Sequence, residues 1–131
     1  MKVVLQDGIK DCGICSLLSI VRFYGGEVSK EYLREITNTT KDGVSFYNLI
    51  EGAKKIGFDA IGLSGNIEDI DVNNLPCIAH FIINKSYKHF VVLYDLDKKK
   101  KQVILNNYPI IILSHFKLVN NMLTNTFAIL F

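Results

Sequence analysis

Asp11-Cys-Gly-Ile-Cys-Ser-Leu-Leu-Ser-Ile-Val-Arg-Phe-Tyr-Gly-Gly26 reads as one helix with both its ends marked. Asp11 is a good N-cap residue, and Ile14, Leu17, Leu18 and Val21 recur at helical spacing. Gly25-Gly26 supplies the C-terminal stop. Two further helices follow the same logic. Ser29 caps a segment carrying Tyr32, Leu33 and Ile36, and Ser45 opens Phe46 to Ile56, which Gly57 ends. Asp42-Gly43 is the turn before the third helix.

After Phe58 the period changes. Phe58 to Leu63 predicts a short strand, and Glu68 to Val72 a turn or brief helix. Pro76 to Ile83 and His89 to Tyr94 are apolar, β-branched runs of strand length. Asp95 to Lys101 turns the second run back into Gln102 to Leu105, which makes a hairpin. Ile110 to Leu113 and Thr126 to Phe131 are expected to form a further strand pair. Helices first and strands afterwards predict an α+β fold, with N-terminal helices packed on a C-terminal antiparallel sheet.

The whole chain, residues 1–131, fits one domain with a substantial core, since 49% of its residues are hydrophobic. No apolar run reaches the ~18 residues of a membrane span. The opening residues turn polar too early for a secretory signal, so a cytoplasmic location is expected. Fifteen basic and 13 acidic residues leave a net charge of +2, which gives no argument for nucleic acid. The basic run Lys98 to Lys101 reads as a solvated hairpin tip. Three cysteines without a signal peptide argue against a disulfide framework and leave reduced thiols.

One of those thiols has a chemical setting. Cys12 falls in the first turn of its helix, where unpaired N–H groups and the helix dipole favour the thiolate. Gly13 is expected to leave open space above the sulfur. His89 opens an apolar strand, from which its ring would face the helix start from the sheet edge and act as general base. Asn106 and Asn107 lie across the hairpin from His89, where an amide oxygen can accept the second imidazole N–H. Gln6 precedes the cysteine and can donate to an oxyanion together with the Cys12 N–H. Each residue alone has an ordinary structural explanation. Their joint order of Gln, Cys at a helix start, His on a strand and Asn after a hairpin is the papain-like layout.

The stretch Gln6-Asp-Gly-Ile-Lys-Asp-Cys-Gly-Ile-Cys-Ser-Leu17 resembles the peptidase domains that precede bacteriocin and lantibiotic ABC exporters. The resemblance continues through Phe23-Tyr-Gly-Gly26, Asp42-Gly-Val-Ser-Phe-Tyr-Asn-Leu49 and Ala53-Lys-Lys-Ile-Gly-Phe-Asp-Ala60. It extends to Leu75-Pro-Cys-Ile-Ala-His-Phe81, His89-Phe-Val-Val-Leu93 and Val103-Ile-Leu-Asn-Asn107. It implies a cysteine peptidase that cleaves leader peptides after a double-glycine motif. Cys12 would be the nucleophile, His89 the base and Gln6 the oxyanion donor.

Such domains usually carry Asp-Pro where this chain has Asn107-Tyr108, so Asn107 would orient His89, with Asn106 as the fallback. The resemblance implies no cofactor in this domain, with ATP used only by a downstream domain. It implies as partners a precursor peptide with a helical leader and the transmembrane and ATP-binding domains of the same exporter. Two arrangements remain, an excised N-terminal domain or a stand-alone enzyme, and an end inside the apolar Thr126 to Phe131 run favours the first. Two rival functions also remain. Cys12-Gly-Ile-Cys15 is the spacing of a thiol-redox or zinc site, the latter needing Cys77, His80 or His89 as further ligands. A degenerate exporter domain would bind leader without cleaving it.

Overall fold

The computed structural model describes residues 11–65, 69–83, 87–99, 102–107, 110–115 and 123–131. Three helices come first: α1 (Cys12–Phe23), α2 (Lys30–Ile36) and α3 (Phe46–Lys55). Six strands follow: β1 (Ile61–Leu63), β2 (Cys77–Ile83), β3 (Tyr87–Asp97), β4 (Gln102–Asn107), β5 (Ile110–His115) and β6 (Leu123–Leu130). They form one sheet in the order β1-β6-β2-β3-β4-β5, with every neighbouring pair antiparallel. The fold is α+β, as the change of period in the sequence predicts.

α1 is the centre of the molecule. All ten residues from Cys12 to Val21 are buried, because β3 lies beneath the helix while α2 and α3 flank it. A helix enclosed in this way must be apolar on every side, and this one carries only Ser16 and Ser19 as polar residues there. The Ser19 hydroxyl donates to the Cys15 carbonyl at 2.8 Å. The C-terminus closes as a Schellman motif: Gly26 N–H donates to Val21 O at 2.9 Å and Gly25 N–H to Arg22 O at 3.0 Å. Gly25 sits at φ 84°, which only glycine adopts without cost.

The other two helices begin as the sequence predicts. Ser29 Oγ accepts from Tyr32 N at 3.1 Å, and Ser45 Oγ from Asn48 N at 3.0 Å. α3 buries Leu49, Gly52 and Ala53, one stripe at helical spacing. At Gly52 any Cβ would run into the fully buried Thr37, so α3 approaches the end of α2 as closely as backbone allows.

The structure departs from the sequence-based expectations in several places. Asp11 precedes α1, but its side chain makes no capping bond. Its φ of −93° and ψ of 4° are not the extended geometry that lets a carboxylate fold back onto its own helix. β5 and β6 do not pair with each other. β5 pairs with β4, its neighbour in sequence, while β6 inserts between β1 and β2. Both strands are apolar, so composition alone cannot assign their partners. The predicted first strand shortens to Ile61–Leu63. In the region of the expected turn or brief helix, Asp69 is in 3-10 conformation and Ile70 in a bend, Glu68 lies outside the described residues, and a further turn of 3-10 helix, capped by Asp71, spans Val72–Asn74. No helix among the described residues is long and apolar enough to cross a membrane.

Leu49 is fully buried in the cluster that joins α3 to α1 and the sheet. Leu49→Ala is expected to lower stability by about 2–5 kcal/mol, the usual cost of a buried Leu-to-Ala cavity. Denaturant unfolding checks this, and a loss below about 1 kcal/mol would contradict the packing described.

Candidate active site

The N-terminus of α1 rests on β3. Phe90 N–H donates to Cys12 Sγ at 3.5 Å, a contact between residues 78 apart in sequence. His89, the preceding residue, is buried with 6% of its surface exposed, and Cys12 with 8%. The sulfur at the helix start and the strand segment carrying the histidine are thus in one place.

The location of His89 differs from expectation. It does not open its strand, because β3 starts at Tyr87 and His89 is already paired with Phe81 of β2. At His89 the described pairing is with β2, since the register with β4 is described from Val92 to Asp97. The candidate base is therefore held by the pairing of its strand with β2.

Gly13 also plays a different part from the one expected. It leaves no open space: a Cβ there would overlap Val44 Cγ1 and crowd the Phe90 ring. The glycine is needed because α1 comes this close to β3, and that approach lets Phe90 N–H reach the sulfur. Phe90 is held in turn by His80, its cross-strand partner, with parallel rings whose centroids are 4.3 Å apart. Phe46 stacks on the other side of His80 at 5.9 Å. This three-ring column runs from the start of α3 to the residue beneath the sulfur. An antiparallel register for the two strands, had the sequence supplied one, would have paired His80 with Phe90.

The electrostatics at Cys12 are more balanced than a helix terminus alone suggests. Burial pushes the thiol above its ordinary value; N–H groups of Phe90, Gly13 and Cys12 itself pull it down, and the carboxylate of Asp11 adds an upward push. The helix terminus alone therefore does not set the state of this thiol. Cys15 and Cys77 are buried in apolar surroundings, and burial pushes the Cys77 thiol up to about 12. None of the three cysteines forms a disulfide. No group of three His, Cys, Asp or Glu residues that could hold a metal occurs among the described residues.

Gln6, and the Met1 to Leu5 segment that a redox fold would use as a strand, lie outside the described residues. Asn106 and Asn107 end β4, and the structure describes their register: Asn106 faces Val92 of β3, and Asn107 faces Ile110 of β5. Sequence reasoning missed Arg34. Its guanidinium binds Asp11 through two bonds, Nε to Oδ1 at 3.2 Å and Nη2 to Oδ2 at 2.6 Å. No local pattern signals a partner from another helix.

Residues 1–113 match the Peptidase C39 family. The chain belongs to that family. It is a cysteine peptidase domain. Among curated proteins, this C39 domain is similar to the lactococcin-G-processing and transport ATP-binding protein LagD of Lactococcus lactis subsp. lactis. The two are 36% identical over 97 residues, which is 72% of this chain and 14% of that protein. It is also similar to the transport/processing ATP-binding protein ComA of Streptococcus pneumoniae, 31% identical over 90 residues, or 67% of this chain and 13% of that one. The C39 domain thus spans about one seventh of the length of these relatives. Among solved structures, the peptidase domain of Streptococcus ComA, a bi-functional ABC transporter involved in a quorum sensing pathway, superposes with a TM-score of 0.85 at 30% identity. That match covers 98% of this chain and 95% of the other.

Iodoacetamide at neutral pH is expected to modify Cys12 well before Cys15 or Cys77. The Cys12 rate should climb as pH rises, because alkylation needs the thiolate and burial holds the proton on. Cys77 should stay unmodified while the protein is folded. Peptide mapping resolves the three sites, and labelling of Cys77 ahead of Cys12 would contradict this ordering.

Proposed function

We propose that this C39 domain removes the leader from a bacteriocin- or lantibiotic-type precursor peptide, cutting after a double-glycine motif, as the N-terminal domain of an ABC exporter. The observation that carries the reading is the Phe90 N–H bond to Cys12 Sγ, which sets the sulfur against the strand segment of His89. His89 is the general base and takes the thiol proton. The thiolate attacks the carbonyl carbon of the second glycine. The developing oxyanion is received by the Cys12 N–H and the Gln6 amide. Collapse of the tetrahedral intermediate breaks the peptide bond, and His89 returns its proton to the departing amine of the mature peptide. Water then hydrolyses the thioester and frees the leader.

Asn107 is the orienting residue in this reading. Asn106 is opposite Val92, and positions alternate between the faces of a strand. The row shared by Val92, Phe90 and Asn106 therefore excludes position 107, which falls in the row of His89 and Val91. Register favours Asn107 over Asn106 on that ground. An amide fixes the imidazole's tautomer but stabilises its cation less than a carboxylate would. The small residues at the cut site suit a nucleophile that is 8% exposed, beside a helix start packed closely against Val44 and Phe90.

The names of LagD and ComA, which join processing to transport and ATP binding, support an exporter context. In that context the domain works at the cytoplasmic side of the cell membrane, beside transmembrane and ATP-binding domains of the same protein. The precursor docks through a helical leader, and the domain itself needs no cofactor.

A synthetic precursor carrying a double-glycine leader tests the proposal. Wild-type domain should release leader and mature peptide, whereas Cys12→Ala should bind the leader and cleave nothing. Cleavage that survives this substitution ends the assignment, and absence of cleavage in the wild type favours a docking domain instead.

The orienting role has its own test. Asn107→Asp is expected to keep or raise kcat/KM, since a carboxylate stabilises the imidazolium better. A loss of tenfold or more would show that Asn107 does not orient His89.

A further inference from the structure

Within one molecule, three residues stand just before α-helices, and they behave differently. Ser29 and Ser45 have extended backbones, with φ −78°, ψ 150° and φ −75°, ψ 156°, and each side chain accepts an N–H of its own helix. Asp11 is chemically as good a cap, yet it does neither. Its carboxylate is turned away to Arg34 of α2, whose guanidinium holds both oxygens as a fork at 3.2 and 2.6 Å. The pair is partly buried, with side-chain exposures of 30% for Arg34 and 15% for Asp11. Arg34 also lies 3.8 Å from Glu31, a carboxylate 82% exposed and therefore a weak competitor.

A helix offers its first N–H groups to whatever acceptor lies nearest. A capping carboxylate before α1 would take them and would place a full negative charge beside the sulfur. Instead the carboxylate turns to Arg34, the sulfur accepts the Phe90 N–H at 3.5 Å, and Asp11 acts on Cys12 only as a nearby charge that pushes its thiol up.

We infer that Arg34 is a positioning residue for the nucleophile: by binding Asp11 it keeps that carboxylate off the first turn of α1 and reserves the turn's N–H groups for Cys12. The inference rests on Cys12 being the nucleophile. The titratable and charged groups presented to this end of α1 are few. α1 itself carries Asp11 and Cys15, α2 brings Arg34 with Glu31 behind it, β3 brings His89, and β2 brings His80 and Cys77. The buried face of α3, with Leu49, Gly52 and Ala53, brings none. Among the described residues Arg34 is the cation that binds Asp11, and its loss removes that compensation of the Asp11 charge.

The test is the pH dependence of Cys12 alkylation by iodoacetamide, followed at each cysteine by peptide mapping, beside precursor cleavage. Arg34→Met should move the Cys12 midpoint up by roughly half to one pH unit, as a nearby like charge does, and slow labelling at pH 7 by about three- to tenfold. Asp11→Asn added to Arg34→Met should return the midpoint to within about 0.2 unit of wild type, because the stray charge is gone. Arg34→Lys, which keeps the charge but loses the fork, should lie between, and it serves if the Met variant does not fold. A pair that merely fastens α2 to α1 would leave the double variant as displaced as the single one. That result, or an unmoved midpoint in Arg34→Met and Arg34→Lys, overturns the inference. Cleavage persisting in Cys12→Ala would instead overturn the peptidase assignment, so the two failures are distinguishable.

Discussion

Everything at this site depends on how closely the first turn of α1 lies on β3. Phe90 N–H reaches the Cys12 sulfur only because residue 13 has no side chain: any Cβ there would collide with Val44 and press on the Phe90 ring. The interaction is a weak hydrogen bond to sulfur, but the geometry behind it is rigid. β3 is an interior strand, and α1 is enclosed on all sides. Close packing of this kind responds to a change of even one methyl group. The placement of the Cys12 sulfur against β3 is therefore set by the core, not by a loop.

The chemistry follows from that confinement. A thiol in a nearly closed site keeps its proton, as the direction of the Cys12 shift shows. Backbone N–H groups from two elements oppose burial without overcoming it. In the proposed reading, His89 on the neighbouring strand supplies the proton acceptor that such a thiol needs. The Phe46–His80–Phe90 column then links the start of α3 through β2 to the strand under the sulfur. Asp11 illustrates the same economy: a residue suited to cap its helix is bound by Arg34 of another, and the helix start stays available.

Much of this was legible in the chain itself. Helices α1, α2 and α3 were marked by glycines and by Ser29 and Ser45, because caps and stops are local devices whose partners lie within a few residues. The β3–β4 hairpin was legible for the same reason, since its turn lies between its strands. The cysteine at a helix start and the histidine in an apolar strand were recognisable as a pair through their order.

What the sequence could not determine was decided by long-range packing. Local signals do not say that β6 enters between β1 and β2, or that β5 joins β4, because apolar strands of similar composition compete for the same edges. They do not say that Asp11 abandons its own helix, since the guanidinium that draws it away arrives from a separate helix. They misread Gly13 as room for substrate when it is a point of contact. The chain by itself determined which elements form and which residues are candidates for the chemistry, through interactions spanning a few residues. Only the tertiary structure decided which groups meet, because a neighbour far along the chain is chosen by the shape and volume of the whole core.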